Sequence, residues 1–142
     1  LLKVEEVTSF SDIDELFNMF KEEIKRMPYN NKYTPEILKD HIESGKLGLL
    51  KIIHNDKILA GYVIRINTYP TNKKLLELLF VFGKGLSFKL GKQIFKQLEK
   101  LAKKLRLHGI ELTGRLEWNM IADRLGFNKQ QQFTQRTKWL TY

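Results

Sequence analysis

Apolar and polar positions alternate weakly over residues 2–7, a pattern that predicts a short first strand. From Ser11 the period changes. Ile13, Leu16, Phe17, Phe20 and Ile24 recur at helical spacing, Ser11 and Asp14 have capping-box-like spacing, and Pro28 ends the segment. Thr34-Pro35-Glu36 is a second helix start, with Thr at the N-cap, Pro at the first helical position and Gly45 as the stop. Leu47 to Ile53 and Ile58 to Ile66 are rich in Ile, Leu and Val and flank Asn55-Asp56, which predicts a hairpin. Tyr69-Pro70-Thr71-Asn72 predicts another turn, and Leu75 to Phe82 a buried central strand.

A long helix is then expected over about residues 88–107, closed by Gly109. Leu90, Ile94, Leu98, Leu101, Ala102 and Leu105 form its apolar stripe. Lys89, Lys92, Lys96, Lys100 and Lys103 fall on another face at spacings of three, four, four and three. Ile110-Glu111-Leu112 reads as a short strand, Trp118 to Leu125 as a short helix closed by Gly126, and Gln132 to Leu140 as a last strand. The order is β-α-α-β-β-β-α-β-α-β, one α/β (α+β) domain over residues 1–142 with an antiparallel meander feeding a crossover helix.

Composition adds limits. The chain of 142 residues is 42% hydrophobic and 29% charged, a globular balance. It has no Cys, which excludes disulfides, thiolate metal cages and a Cys nucleophile. His41, His54 and His108 share no metal-ligand spacing, so no metal is expected; His108 beside Gly109 is expected to stabilise the end of the long helix. The longest apolar run, Leu75 to Phe82, is interrupted by Glu77 and too short to span a membrane, and the early acidic residues Glu5 and Glu6 argue against a signal peptide. A cytoplasmic location is the expectation.

The net charge of +9 is unevenly placed. Residues 1–83 carry 12 basic and 12 acidic side chains, whereas residues 84–106 carry eight basic ones against Glu99 alone. A merely solvated face mixes both signs, so Lys92, Lys96, Lys100 and Lys103 are candidates for contact with an anion: a nucleic-acid backbone, an acidic protein surface or a cofactor phosphate.

The element order, with Leu125-Gly126-Phe127 after a short helix, resembles the GNAT superfamily of acyl-CoA N-acyltransferases. The resemblance implies a mixed, mostly antiparallel sheet with helices on both faces. It also implies a loop between Val81 and the long helix whose amides, with the helix N-terminus, cradle the pyrophosphate of acetyl-CoA. On that alignment Gly91 occupies the last small position of the loop pattern, while Leu86, Ser87 and Lys89 replace its Arg/Gln and glycines. Val81, Lys89, Gly91 and Lys92 are the implied cofactor-binding residues. Glu77, four before Val81, stands near the family's general base; the alternative is a Glu facing solvent or pairing a Lys such as Lys73. The family's acid, a Tyr, is replaced by Ala122, and Tyr69 or Tyr142 would have to substitute.

Gly114-Arg115 and Trp118, followed by Gly126-Phe127, resemble a stretch of GNAT-like internal virion proteins of tailed bacteriophages. With a worn cofactor loop, the favoured expectation is a virion-assembly or binding component acting through the basic helix. The alternative is an active N-acetyltransferase using acetyl-CoA.

Overall fold

The computed structural model describes residues 1–83 and 88–112. Nine elements follow one another: β1 (Leu2–Glu6), α1 (Phe10–Met19), α2 (Lys21–Lys25), α3 (Pro35–Glu43), β2 (Gly48–His54), β3 (Lys57–Thr68), β4 (Lys74–Gly83), α4 (Phe88–Lys104) and β5 (Gly109–Leu112). The expected last helix and strand, with Ala122 and the residues from Gly114 to Phe127, lie outside the described residues, as do Leu86 and Ser87.

The strands form one sheet in the order β1-β2-β3-β4-β5. The first four are antiparallel neighbours; β5 is parallel to β4, because the chain returns through α4. Asn55 (φ 50°) and Asp56 (φ 63°) make the tight β2–β3 turn, whose left-handed dihedrals suit the twist of the flanking strands. The Tyr69–Asn72 turn is closed by the Asn72 amide donating to the Tyr69 carbonyl at 2.8 Å.

Helices cover both faces. On one, α1 to α3 bury Ile13, Leu16, Phe17, Ile24, Leu38 and Ile42 against Leu49, Val63 and Phe82. On the other, α4 buries Ile94, Phe95 and Leu98 against Leu50, Ile52, Tyr62, Leu76 and Leu78. Burial pushes the Tyr62 phenol well above its ordinary range.

Some local expectations change. The first helix is capped by Ser9, not Ser11: the Ser9 Oγ accepts from the Asp12 amide at 3.2 Å. It is also broken at Phe20 (φ −111°), where α1 ends and α2 begins, so that Phe20 and Ile24 both reach the core. Thr34 caps α3 as expected, its Oγ1 accepting from the Ile37 amide at 3.1 Å. The long helix stops before Gly109, through Arg106 at φ 57°, and Gly109 opens β5 instead. His108 does not cap the helix. Its Nδ1 accepts from the Lys74 amide at 3.0 Å while its own amide donates to the Lys74 carbonyl at 2.8 Å, which ties β5 to the start of β4.

β4 carries the feature that matters for a site. Val63 pairs with Phe80 and Ile64 with Leu78, so Leu79 has no partner on β3 and forms a bulge. The extra residue reverses which face later side chains take: Leu76 and Leu78 belong to the α4 core, Phe80 and Phe82 to the opposite one. Pairing with β5 runs from Leu75 to Leu78 and stops, among the described residues, where the bulge begins.

Candidate active site

Glu77 lies two residues before the bulge and is only 6% exposed. A carboxylate buried in an apolar strand needs partners. Register supplies them. Arg65 is the cross-strand partner of Glu77 on β3, and Glu111 its partner on β5. Glu77 Oε1 accepts from Arg65 Nε at 3.1 Å, Arg65 Nη2 at 2.6 Å and Asn67 Nδ2 at 2.7 Å. Asn67 Nδ2 also donates to Glu111 Oε1 at 2.7 Å, and the Tyr69 hydroxyl donates to the same oxygen at 2.5 Å. That hydrogen bond to Glu111 holds the Tyr69 phenol above its ordinary range, so it keeps its proton at neutral pH.

The two alternatives for Glu77 as a bystander are therefore corrected: it neither faces solvent nor pairs with Lys73, but pairs with Arg65. Sequence spacing does not single out Arg65, Asn67 or Glu111, and Tyr69 enters it only as a substitute acid. The signal was present. Arg65, Asn67 and Tyr69 are polar at every second position where an otherwise apolar strand ends, which places them on one face.

The other candidates sit at the far end of β4. The Val81 side chain packs partly against the α4 core, so its share in holding a ligand would come from its backbone. Gly83 (φ 141°) ends the strand. Lys89 and Lys92 are exposed in the first turns of α4, a 17-residue helix with no acidic residue in its first turn. Gly91 lies between them. A Cβ built there meets nothing within 4 Å among the described residues, so the Lys89 side chain does not fill the space over the glycine. Lys96, Lys100 and Lys103 are exposed farther along the same helix. The structure thus separates the predicted residues into the Glu77 cluster, the α4 N-terminus and the lysine ridge.

A parallel β4–β5 pair beside the bulge of β4, at the end of an otherwise antiparallel sheet, is a specific topology. It aligns with the structure of an aminoglycoside acetyltransferase from an uncultured soil metagenomic sample in complex with sisomicin, at TM-score 0.72 and 12% identity over 99% of this chain and 97% of that one. The chain has the GNAT fold. Two further structures share this GNAT frame. A predicted acetyltransferase with acetyl-CoA from Clostridium acetobutylicum gives TM-score 0.66 and 14% identity, covering 96% of each chain. Glucosamine-6-phosphate N-acetyltransferase from Arabidopsis thaliana gives 0.65 and 15%, covering 99% of each. No protein-family model matches the chain, and no curated protein does. Among the described residues no helix is long and apolar enough to cross a membrane, and no group of His, Asp and Glu could hold a metal ion.

Proposed function

We propose that this GNAT-fold protein is an N-acyltransferase that takes an acyl group from acyl-CoA and passes it to an amine. The observation that carries this reading is Gly91. A glycine inside a helix costs about 1 kcal/mol against alanine, and no described neighbour requires it. A diphosphate lying close to the helix would, because a Cβ would occupy that approach. Lys89 and Lys92 flank the opening, and the positive end of the helix dipole favours an anion. The residues present therefore fit the diphosphate of CoA. When bound, acyl-CoA supplies an activated thioester carbonyl.

The chain's part is positioning and proton handling. Arg65 and Asn67 fix the Glu77 carboxylate through Oε1. A proton leaving the acceptor amine would go to the Glu77 carboxylate, directly or through water. The acetyl-CoA bound to the Clostridium acetobutylicum protein supports acetyl-CoA as the donor to test. The virion-assembly expectation finds no support in the three structures compared, each of which is named an acetyltransferase.

The test is a thermal melt with and without millimolar acetyl-CoA, followed by thiol release with a panel of primary amines. At a hundred times its dissociation constant a ligand stabilises by about 2.7 kcal/mol, which moves a domain of this size by roughly 5–10 °C. A melt unmoved by acetyl-CoA, with no thiol released for any amine, would overturn the reading and return the worn-loop expectation.

A further inference from the structure

We infer that the exposed face of α4, beyond its first turn, is a binding surface for the sugar-phosphate backbone of nucleic acid. Lys92, Lys96, Lys100 and Lys103 are all exposed and lie opposite the stripe formed by Ile94, Leu98 and Ala102. Each stands one turn from the next, so the ridge is about 16 Å long at roughly 1.5 Å per residue. None of these lysines pairs with a carboxylate among the described residues: the ion pairs found are Lys39–Asp14, Lys51–Glu5 and Arg65–Glu77. Glu99, one turn from both Lys96 and Lys103, is the one acidic residue of the helix against six lysines.

The tertiary structure lengthens this ridge. Beyond Lys103 and Lys104 the chain turns through exposed Arg106. Two residues later, His108 is held against Lys74 by the paired hydrogen bonds described above. Exposed Lys73, from the β3–β4 connection, and Lys74, the first residue of β4, thus stand beside the segment that leaves α4. A basic band assembled from two distant chain segments has a reach that the helix alone lacks.

Charge complementarity favours a phosphate backbone over an acidic protein. Protein interfaces are anchored by buried aromatic and apolar side chains and are depleted in lysine. Leu105, at 41% exposure, is the only large apolar side chain of residues 89–108 that is exposed. Phosphate contacts need only closely spaced cations, and without side chains placed to read base edges they are indifferent to sequence.

The experiment is fluorescence anisotropy of the full chain with two unrelated, end-labelled 20-base-pair DNA duplexes, between 50 and 200 mM salt. Four neutralised phosphates predict a slope of log K against log salt near −3.6, about a hundredfold loss across that range, equal for both sequences. The variant Lys96→Gln/Lys100→Gln/Lys103→Gln/Arg106→Gln should lose most of this slope and at least tenfold in affinity at 50 mM salt. Its circular dichroism melt and acetyl-CoA response should match the parent's. A control variant with Lys32→Gln, Lys46→Gln and Lys57→Gln, exposed lysines elsewhere on the molecule, should keep the slope. Absence of duplex binding at 50 mM salt overturns the proposal, as does an unchanged slope in the ridge variant. Binding of polyglutamate with none of the duplex overturns it in favour of an acidic protein surface.

Discussion

Gly91 is the single residue on which structure and function pull in opposite directions. Replacing it by alanine improves helix propensity by about 1 kcal/mol, with no described atom close enough to clash. The Gly91→Ala protein should therefore melt roughly 2–4 °C higher while binding acetyl-CoA at least tenfold more weakly. A variant that is stabler and binds as well as the parent would show the glycine to be idle. Glu77 makes the complementary case. Glu77→Gln leaves the Arg65 guanidinium without its charged partner, although Arg65 is 43% exposed and water can answer for much of the loss. The larger effect should be kinetic, a fall in turnover on the order of a hundredfold. Equal turnover in variant and parent would remove Glu77 from proton transfer.

At the scale of elements, the fit of β3 against β4 rests on a missing side chain. Gly61 stands opposite Phe82, and a Cβ on Gly61 would lie 2.2 Å from the Phe82 ring. That ring also meets Phe17 (centroids 6.2 Å apart) and Phe20 (5.5 Å), so it has little room to retreat. Gly61→Ala should cost about 1–3 kcal/mol through overpacking, read as a fall of roughly 3–8 °C in melting temperature. Adding Phe82→Leu should cost less in that background than in the parent, because the two sites share one volume. Equal and additive costs would mean that the ring moves freely. The Leu79 bulge works at the same scale. By reversing the alternation of β4 it lets one strand feed both cores while Glu77 stays on the α1–α3 face.

At the scale of the whole molecule, charge and chemistry divide along α4: its first turns carry Lys89, Gly91 and Lys92, and beyond its last turn His108 is bonded to Lys74. The sequence by itself determined the element order from β1 to β5 apart from the break at Phe20, the apolar stripe of α4, the two hairpin-type turns, the Thr34 cap and the lysine spacing. These follow from local rules: a period of 3.6 or 2, a cap, a left-handed turn residue. Legible, too, were Glu77 and Gly91 as candidates, through the spacing from Val81. Register was not legible. Which residues stand across from Glu77 depends on where the bulge falls, and a one-residue slip turns every later side chain to the other face. Only the tertiary structure set Arg65, Asn67 and Glu111 around Glu77, because their separations of 12, 10 and 34 positions are closed by strand pairing. It alone moved the first cap to Ser9 and broke the helix at Phe20, since the sheet below fixes where Phe20 and Ile24 must enter the core. His108, too, was decided there: a parallel strand returning beside Lys74 offered its ring a backbone amide that no neighbour in sequence could.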